Sequence, residues 1–190
     1  MVPTPEDHPT KPLFSYGIHK VAIEHYLHLY FTLYGLDYVV MRVSNPYGIY
    51  QSVCKGQGAV SVFLHNLIRD EAIDIWGDGL VVRDYIHVED VIDAALRLVE
   101  YQGEHKVFNI GSVRGFTLNE LIIDMESLLG RKAKVNYLPG RVLDVPENVV
   151  DISQAFREFG WQPRVSFRDG IRQLVRNLHE ETRMSGIGAS

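Results

Sequence analysis

Near the start of the chain, Tyr16-Gly-Ile-His-Lys20 holds a phenol and an ammonium four positions apart. On a helix, positions i and i+4 share a face, so both groups can enter one site. An ammonium fixed beside a phenol favours the phenolate. A phenolate can take the proton of a hydroxyl while hydride leaves its carbon, which is general base catalysis. The same spacing occurs by chance on ordinary helices, so it needs a setting before it means chemistry. A second candidate fails at once: His25 and His28 are three apart but have no third ligand at metal-site spacing, so no metal is expected.

The elements that would position Tyr16 and Lys20 can be read along the chain. Prolines at 3, 5, 9 and 12 make residues 1–12 an extended loop. Ser15 is expected to N-cap a helix with a broad apolar face (Val21, Ile23, Tyr26, Leu29, Tyr30 and Leu33) that runs to Tyr34 and closes at Gly35. A buried strand over 37–43 follows, then a loop, then a helix over 59–69. Ile73-Asp-Ile-Trp76 alternates apolar and polar as a half-buried strand does, with Gly77-Asp-Gly79 as its turn. Strands are expected at 83–87, 106–110 and 133–137, and helices at 89–101, 118–129, 153–159 and 167–183. Thr117-Leu-Asn-Glu120 has the pattern of a capping box, and 138–150 reads as a loop. Helices alternating with strands predict an α/β fold.

Composition narrows the function classes. At 190 residues with 46% hydrophobic and 23% charged content, the chain can bury a core and is not a disordered segment. A net charge of −5 with no basic stripe argues against nucleic-acid binding. No run of about 20 uncharged apolar residues is present, so no membrane span is expected. Cys54 is the sole cysteine, which excludes an intrachain disulfide and makes a cytoplasmic setting the default expectation.

The Tyr-x-x-x-Lys pair opens a long helix, and a buried strand and Arg42-Val-Ser-Asn-Pro-Tyr-Gly48 follow it. Further on come Trp76-Gly-Asp-Gly79 with Val82-Arg-Asp-Tyr-Ile-His-Val-Glu-Asp90, and Phe108-Asn-Ile-Gly111 with Thr117-Leu-Asn-Glu-Leu121. Pro139-Gly-Arg141, Asp144-Val-Pro146, Asp151 and Phe159-Gly-Trp161-Gln-Pro163 complete the series. Together these stretches, in this order, resemble the extended short-chain dehydrogenase/reductases, in particular the NAD-dependent nucleotide-sugar epimerases and dehydratases, over residues 9–180.

The resemblance implies roles. Tyr16 is the catalytic base, and Lys20 holds the nicotinamide ribose beside it; both contact NAD. Asn45 bonds the substrate near its diphosphate, and Arg83 and Arg141 clamp the diphosphate through forks that match phosphate oxygens. Asp144 accepts from the nucleotide ribose, and Ile75 and Trp76 border the base. Each residue also has a plainer reading. Asn45 before Pro46 suits a turn, Arg83 beside Asp84 a surface ion pair, and Trp76 a core position. Arg141, in a loop flanked by proline and glycine, has the best case independent of family. His87 reads as structural.

The family pattern is cut. The Gly-x-Gly-x-x-Gly turn that brings a helix N-terminus to the NAD pyrophosphate does not occur: Gly56-Gln-Gly58 and Gly77-Asp-Gly79 both lack the third glycine. The expected architecture is therefore the C-terminal part of a Rossmann-like extended fold with its smaller α/β substrate-binding domain, without the N-terminal glycine-rich βαβ half. Residues 1–57 would be the remnant of the dinucleotide-binding domain with the catalytic helix, 58–183 mainly the substrate domain with segments returning to the first, and 184–190 a tail. A sheet fragment of this kind exposes an edge and an apolar face, so the chain by itself is expected to be poorly stable or self-associating and not to retain NAD. The implied activity is a UDP-glucose/UDP-galactose type 4-epimerisation through a 4-keto sugar. The alternatives are a nucleotide-sugar 4,6-dehydratase and a non-catalytic nucleotide-sugar-binding fragment. A homodimer through the helix at 15–34, seamed by His28, Tyr30 and Phe31, is also implied.

Overall fold

The computed structural model describes residues 2–49, 58–140 and 145–186, with side chains as far as 178. It is an α/β structure whose long strand pairings are parallel. Helix α1 (Ser15–Tyr34) leads to β1 (Val40–Val43) and β2 (Asn45–Tyr47). Then come α2 (Ala59–Arg69), β3 (Ala72–Trp76), β4 (Val82–His87), α3 (Val88–Val99) and β5 (Val107–Ile110). The chain continues through β6 (Gly115–Thr117), α4 (Leu118–Leu129), β7 (Lys134–Leu138) and β8 (Glu147–Asn148). It closes with α5 (Ser153–Phe159) and α6 (Phe167–Gly186).

Local signals placed most helix ends. Gly35 and Gly130 follow α1 and α4 in the left-handed conformation, at φ 67° and 63°, where a glycine has no Cβ to clash. The capping box at α4 is complete: Thr117 Oγ1 accepts from the Glu120 amide at 3.1 Å, and Glu120 Oε2 accepts from the Thr117 amide at 2.7 Å. These bonds to Thr117 hold the Glu120 carboxyl below its usual range. One cap differs from expectation. Phe14 occupies the N-cap of α1 and no side chain caps it, so Ser15 is the first helical residue.

β1 and β2 form nearly one run that changes partners at Ser44. β1 pairs with β5 (Val40 opposite Val107), whereas β2 pairs with β4 (Asn45 opposite Tyr85). The junction is pinned by Asp84, which is fully buried and accepts from the Ser112 amide and hydroxyl, each at 2.7 Å. Ser44 Oγ donates to the same carboxylate oxygen at 3.3 Å. Gly111 is required there, because a Cβ would collide with that carboxylate. β4 also pairs antiparallel with β6 and parallel with β8, and β3 pairs parallel with β7.

Two apolar clusters result. One gathers Phe63, Leu64, Ile75, Tyr85, Phe116 and Ile171 beneath α2, α4 and α6. The other gathers Ile86, Leu98, Phe108, Ala155 and Trp161 beneath α3 and α5. β4 serves both, since adjacent Tyr85 and Ile86 point to opposite faces as a strand requires. The extended N-terminal segment is strapped to this frame: Thr4 bridges Val150, and the buried Asn109 donates to the Thr4 and Asp151 carbonyls.

Candidate active site

A cavity of roughly 590 Å³ opens where β2, β3, β4 and the start of α2 converge. That volume lies within the range of small-molecule sites. Its lining includes Asn45, Tyr47, Asp74, Trp76, Arg83 and Tyr85. Three of the residues singled out from the sequence, Asn45, Trp76 and Arg83, are thus brought together from separate strands.

Each is positioned by its strand. Asn45 opens β2 and donates from Nδ2 to the Asp84 carbonyl at 2.9 Å, which uses one donor of an amide that has two donors and an acceptor. Arg83 sits on β4, where its Nη1 donates to the Val82 and Val145 carbonyls at 2.8 and 2.7 Å. Trp76 ends β3 with 47% of its surface exposed, so it is not the core residue its type suggests. Ile75 is not among the residues lining the cavity: it is fully buried in the apolar cluster. The alternation of β3 explains this: Asp74 and Trp76 share the cavity face while Ile73 and Ile75 face the core. Asp74 escaped the sequence reading, although the same alternation could have found it.

The two cavity tyrosines are not bases. Burial pushes the Tyr85 phenol up to about 12 against the pull of Arg83, and burial drives Tyr47 higher still. Both stay protonated near neutral pH and offer packing surface and O–H groups. Tyr47 also packs edge-on against His87, ring centres 5.3 Å apart. His87 is buried, and its Nδ1 accepts from the Glu89 amide at 3.4 Å to cap α3. That gives it a structural part.

Tyr16 and Lys20 lie apart from this lining. Both are on the first turns of α1, Tyr16 72% exposed, with the Lys20 ammonium 5.3 Å from the phenol ring centre. The pair is therefore adjacent, as i and i+4 require. Glu24, one turn further, holds Arg42 of β1 through two bonds of 2.9 and 2.6 Å. Arg42 in turn donates to the Glu6 carbonyl at 2.8 Å. From Arg42 the chain runs on to Ser44 and Asn45 at the cavity, so α1 is tied to the strand that leads there. Arg141 and Asp144 lie outside the described residues. Of the described residues on either side of them, Gly140 lies against Gly77 and the Val145 carbonyl accepts from Arg83.

Residues 2–111 match the family model described as the NAD dependent epimerase/dehydratase family. A dTDP-4-dehydro-6-deoxyglucose reductase of Escherichia coli is 35% identical over 93% of this chain and 56% of its own length. A putative UDP-glucose 4-epimerase of Methanocaldococcus jannaschii is 32% identical over 96% of this chain and 59% of its own. The crystal structure of a Thermotoga maritima UDP-glucose 4-epimerase with UDP-glucose superposes with a TM-score of 0.91. It is 37% identical over 96% of this chain and 59% of that one. The chain thus spans somewhat over half the length of the relatives it matches, with the Rossmann-like epimerase fold in the part it covers.

Proposed function

The chain belongs to the NAD-dependent epimerase/dehydratase family, and on that premise we propose that its cavity seats the nucleotide diphosphate of a nucleotide sugar. The enzyme it serves is of the UDP-glucose/UDP-galactose 4-epimerase type. The observation that carries this reading is the meeting of Asn45, Trp76 and Arg83 around one cavity. An exposed indole offers a flat apolar face to uracil. A guanidinium suits phosphate oxygens, and an amide serves either kind of polar partner. In this reading Arg83 and Arg141 clamp the diphosphate, Asp144 takes the ribose, and Trp76, next to the buried Ile75, borders the base.

Tyr16 takes the proton of the sugar 4-hydroxyl, and Lys20 stands beside it to hold the nicotinamide ribose. Bound NAD would supply the hydride acceptor and donor for the sugar carbon. Of the groups NAD needs, the chain carries Tyr16 and Lys20, side by side and accessible. Its sequence contains no glycine-rich turn for the pyrophosphate, so the residues present suit the nicotinamide end only. The chain alone is accordingly proposed not to retain NAD. Residues 1–57 are assigned to the dinucleotide side and 58–183 mainly to the substrate side, with a homodimer through α1. The exposed Tyr30, Phe31 and Leu33 favour that dimer. No described helix is long and apolar enough to cross a membrane.

A second reading, a nucleotide-sugar-binding fragment without redox activity, is favoured by the separation of Tyr16 and Lys20 from the cavity lining. Two variants divide the readings. Arg83→Ala is expected to weaken UDP binding, measured calorimetrically on this chain, by about 10-fold or more, the scale of a lost charged hydrogen bond. Tyr16→Phe is expected to leave UDP affinity within about twofold while abolishing UDP-galactose turnover in a full-length form. Turnover surviving Tyr16→Phe would overturn the catalytic assignment, and an unchanged Arg83→Ala titration would overturn the cavity assignment.

A further inference from the structure

Trp76 and Arg83 stand on strands of different sheets, since β3 pairs with β7 whereas β4 pairs with β2, β6 and β8. The chain joins them through Gly77–Val81, so the conformation of that turn fixes the separation between the indole and the guanidinium. Gly77 and Gly79 both adopt positive φ, 92° and 76°, and the turn is fastened from outside. The Gly77 amide donates to the Leu138 carbonyl of β7 at 2.8 Å. At the other end, Asn119 takes hold of two successive carbonyls. Its Nδ2 donates to Asp78 O at 3.0 Å and its backbone amide to Gly79 O at 3.2 Å. A Cβ on Gly79 would run into the Asn119 amide. Asn119 Oδ1 in turn accepts from the Tyr137 hydroxyl of β7 at 3.0 Å.

We propose that Asn119 is a positioning residue that sets the distance between the base-binding and diphosphate-binding ends of the cavity. The inference rests on the nucleotide reading above. Three features favour this over a role in stability alone. Asn119 is the second residue of α4, whose first turn is made rigid by the Thr117–Glu120 box, so it presents its amide from a fixed frame. Its neighbour Leu118 lines the cavity. The network also lies near the surface: Asp78 is exposed and Tyr137 is 57% exposed, so little apolar burial depends on it.

A ligand that bridges two subsites gains from a fixed spacing, whereas one that fills a single subsite does not. The test compares UDP with uridine, each titrated into the 190-residue chain and followed by tryptophan fluorescence. Trp76 is accessible to ligand in this measurement, while Trp161 is fully buried. Asn119→Ala is expected to reduce the advantage of UDP over uridine by about fivefold to tenfold, and Tyr137→Phe by about twofold to threefold, with uridine affinity held. Tyr137→Phe removes one exposed hydroxyl, so it decides the matter if Asn119→Ala does not fold. If both ligands weaken alike, or neither does while the wild-type chain binds UDP, the positioning role is wrong and the nucleotide reading stands. If the wild-type chain does not bind UDP, the nucleotide reading fails and this inference fails with it.

Discussion

Helices α1 and α2 are comparably apolar in sequence yet end in opposite surroundings. α2 buries Val60, Ser61, Phe63, Leu64 and Leu67, whereas none of the 20 residues of α1 is buried. α2 sends its apolar residues to one side, over β3 and α4, and so completes a core from within the chain. α1 carries apolar residues around its circumference, with Ile18, Ile23, Tyr26, Leu29 and Tyr30 all exposed. A helix apolar all round is the pattern of one meant for burial on several sides. What fastens it here includes the Glu24–Arg42 pair and the contacts of the Phe31 ring with Tyr38 and Lys106. The contrast teaches that the cavity is built by contacts the chain makes with itself, while the helix bearing Tyr16 and Lys20 is only tethered. Exposed apolar area on this scale also favours the expectation that the isolated chain self-associates.

The contrast can be broken most directly in the core. Phe116→Ala, on the buried side of β6, is expected to cost about 3–5 kcal/mol in urea unfolding, because it leaves a cavity among packed rings. Leu29→Ala on α1 is expected to change stability by less than about 0.5 kcal/mol. Equal costs would show that α1 is packed after all.

A smaller effect sharpens the comparison. Arg42→Ala removes the two-point grip on Glu24, and the amides of α1 should then exchange with deuterium about tenfold faster, while those of α2 and β3 keep their protection. Uniform acceleration across the chain would mean that Arg42 supports the whole fold instead of the tether.

The smallest effect concerns pH. Burial holds His87 below the ordinary histidine range, so the unfolded chain binds a proton at a pH where the folded chain resists it. Its contribution is therefore present above about pH 6.5 and is lost as pH falls through that value toward the lowered folded pKa. His87→Asn keeps an oxygen to cap α3, and it should flatten the decline in stability between about pH 7 and 5. An unchanged slope would place the decline on other groups.

Much of this protein could be read from the order of its residues. Left-handed glycines after α1 and α4, the Thr117–Glu120 box and the alternation of β3 are decided within a few residues, so they show in sequence. Asn45, Trp76 and Arg83 stand out only through the family resemblance, since each has a plainer local reading, and that they share a cavity is not legible at all. Strands β2, β6 and β8, of three, three and two residues, were missed because they are too short to carry a period and exist only through pairing with β4. The tertiary structure alone decided that the run from Val40 to Tyr47 changes partners at Ser44, and that Asp84 ties the junction from 40 residues away. It also decided which face of β3 meets the cavity, and that α1 lies bare. The physical reason is range. Caps and turns are settled by neighbours along the chain, whereas a cavity wall and a buried face depend on which distant segments pack against them.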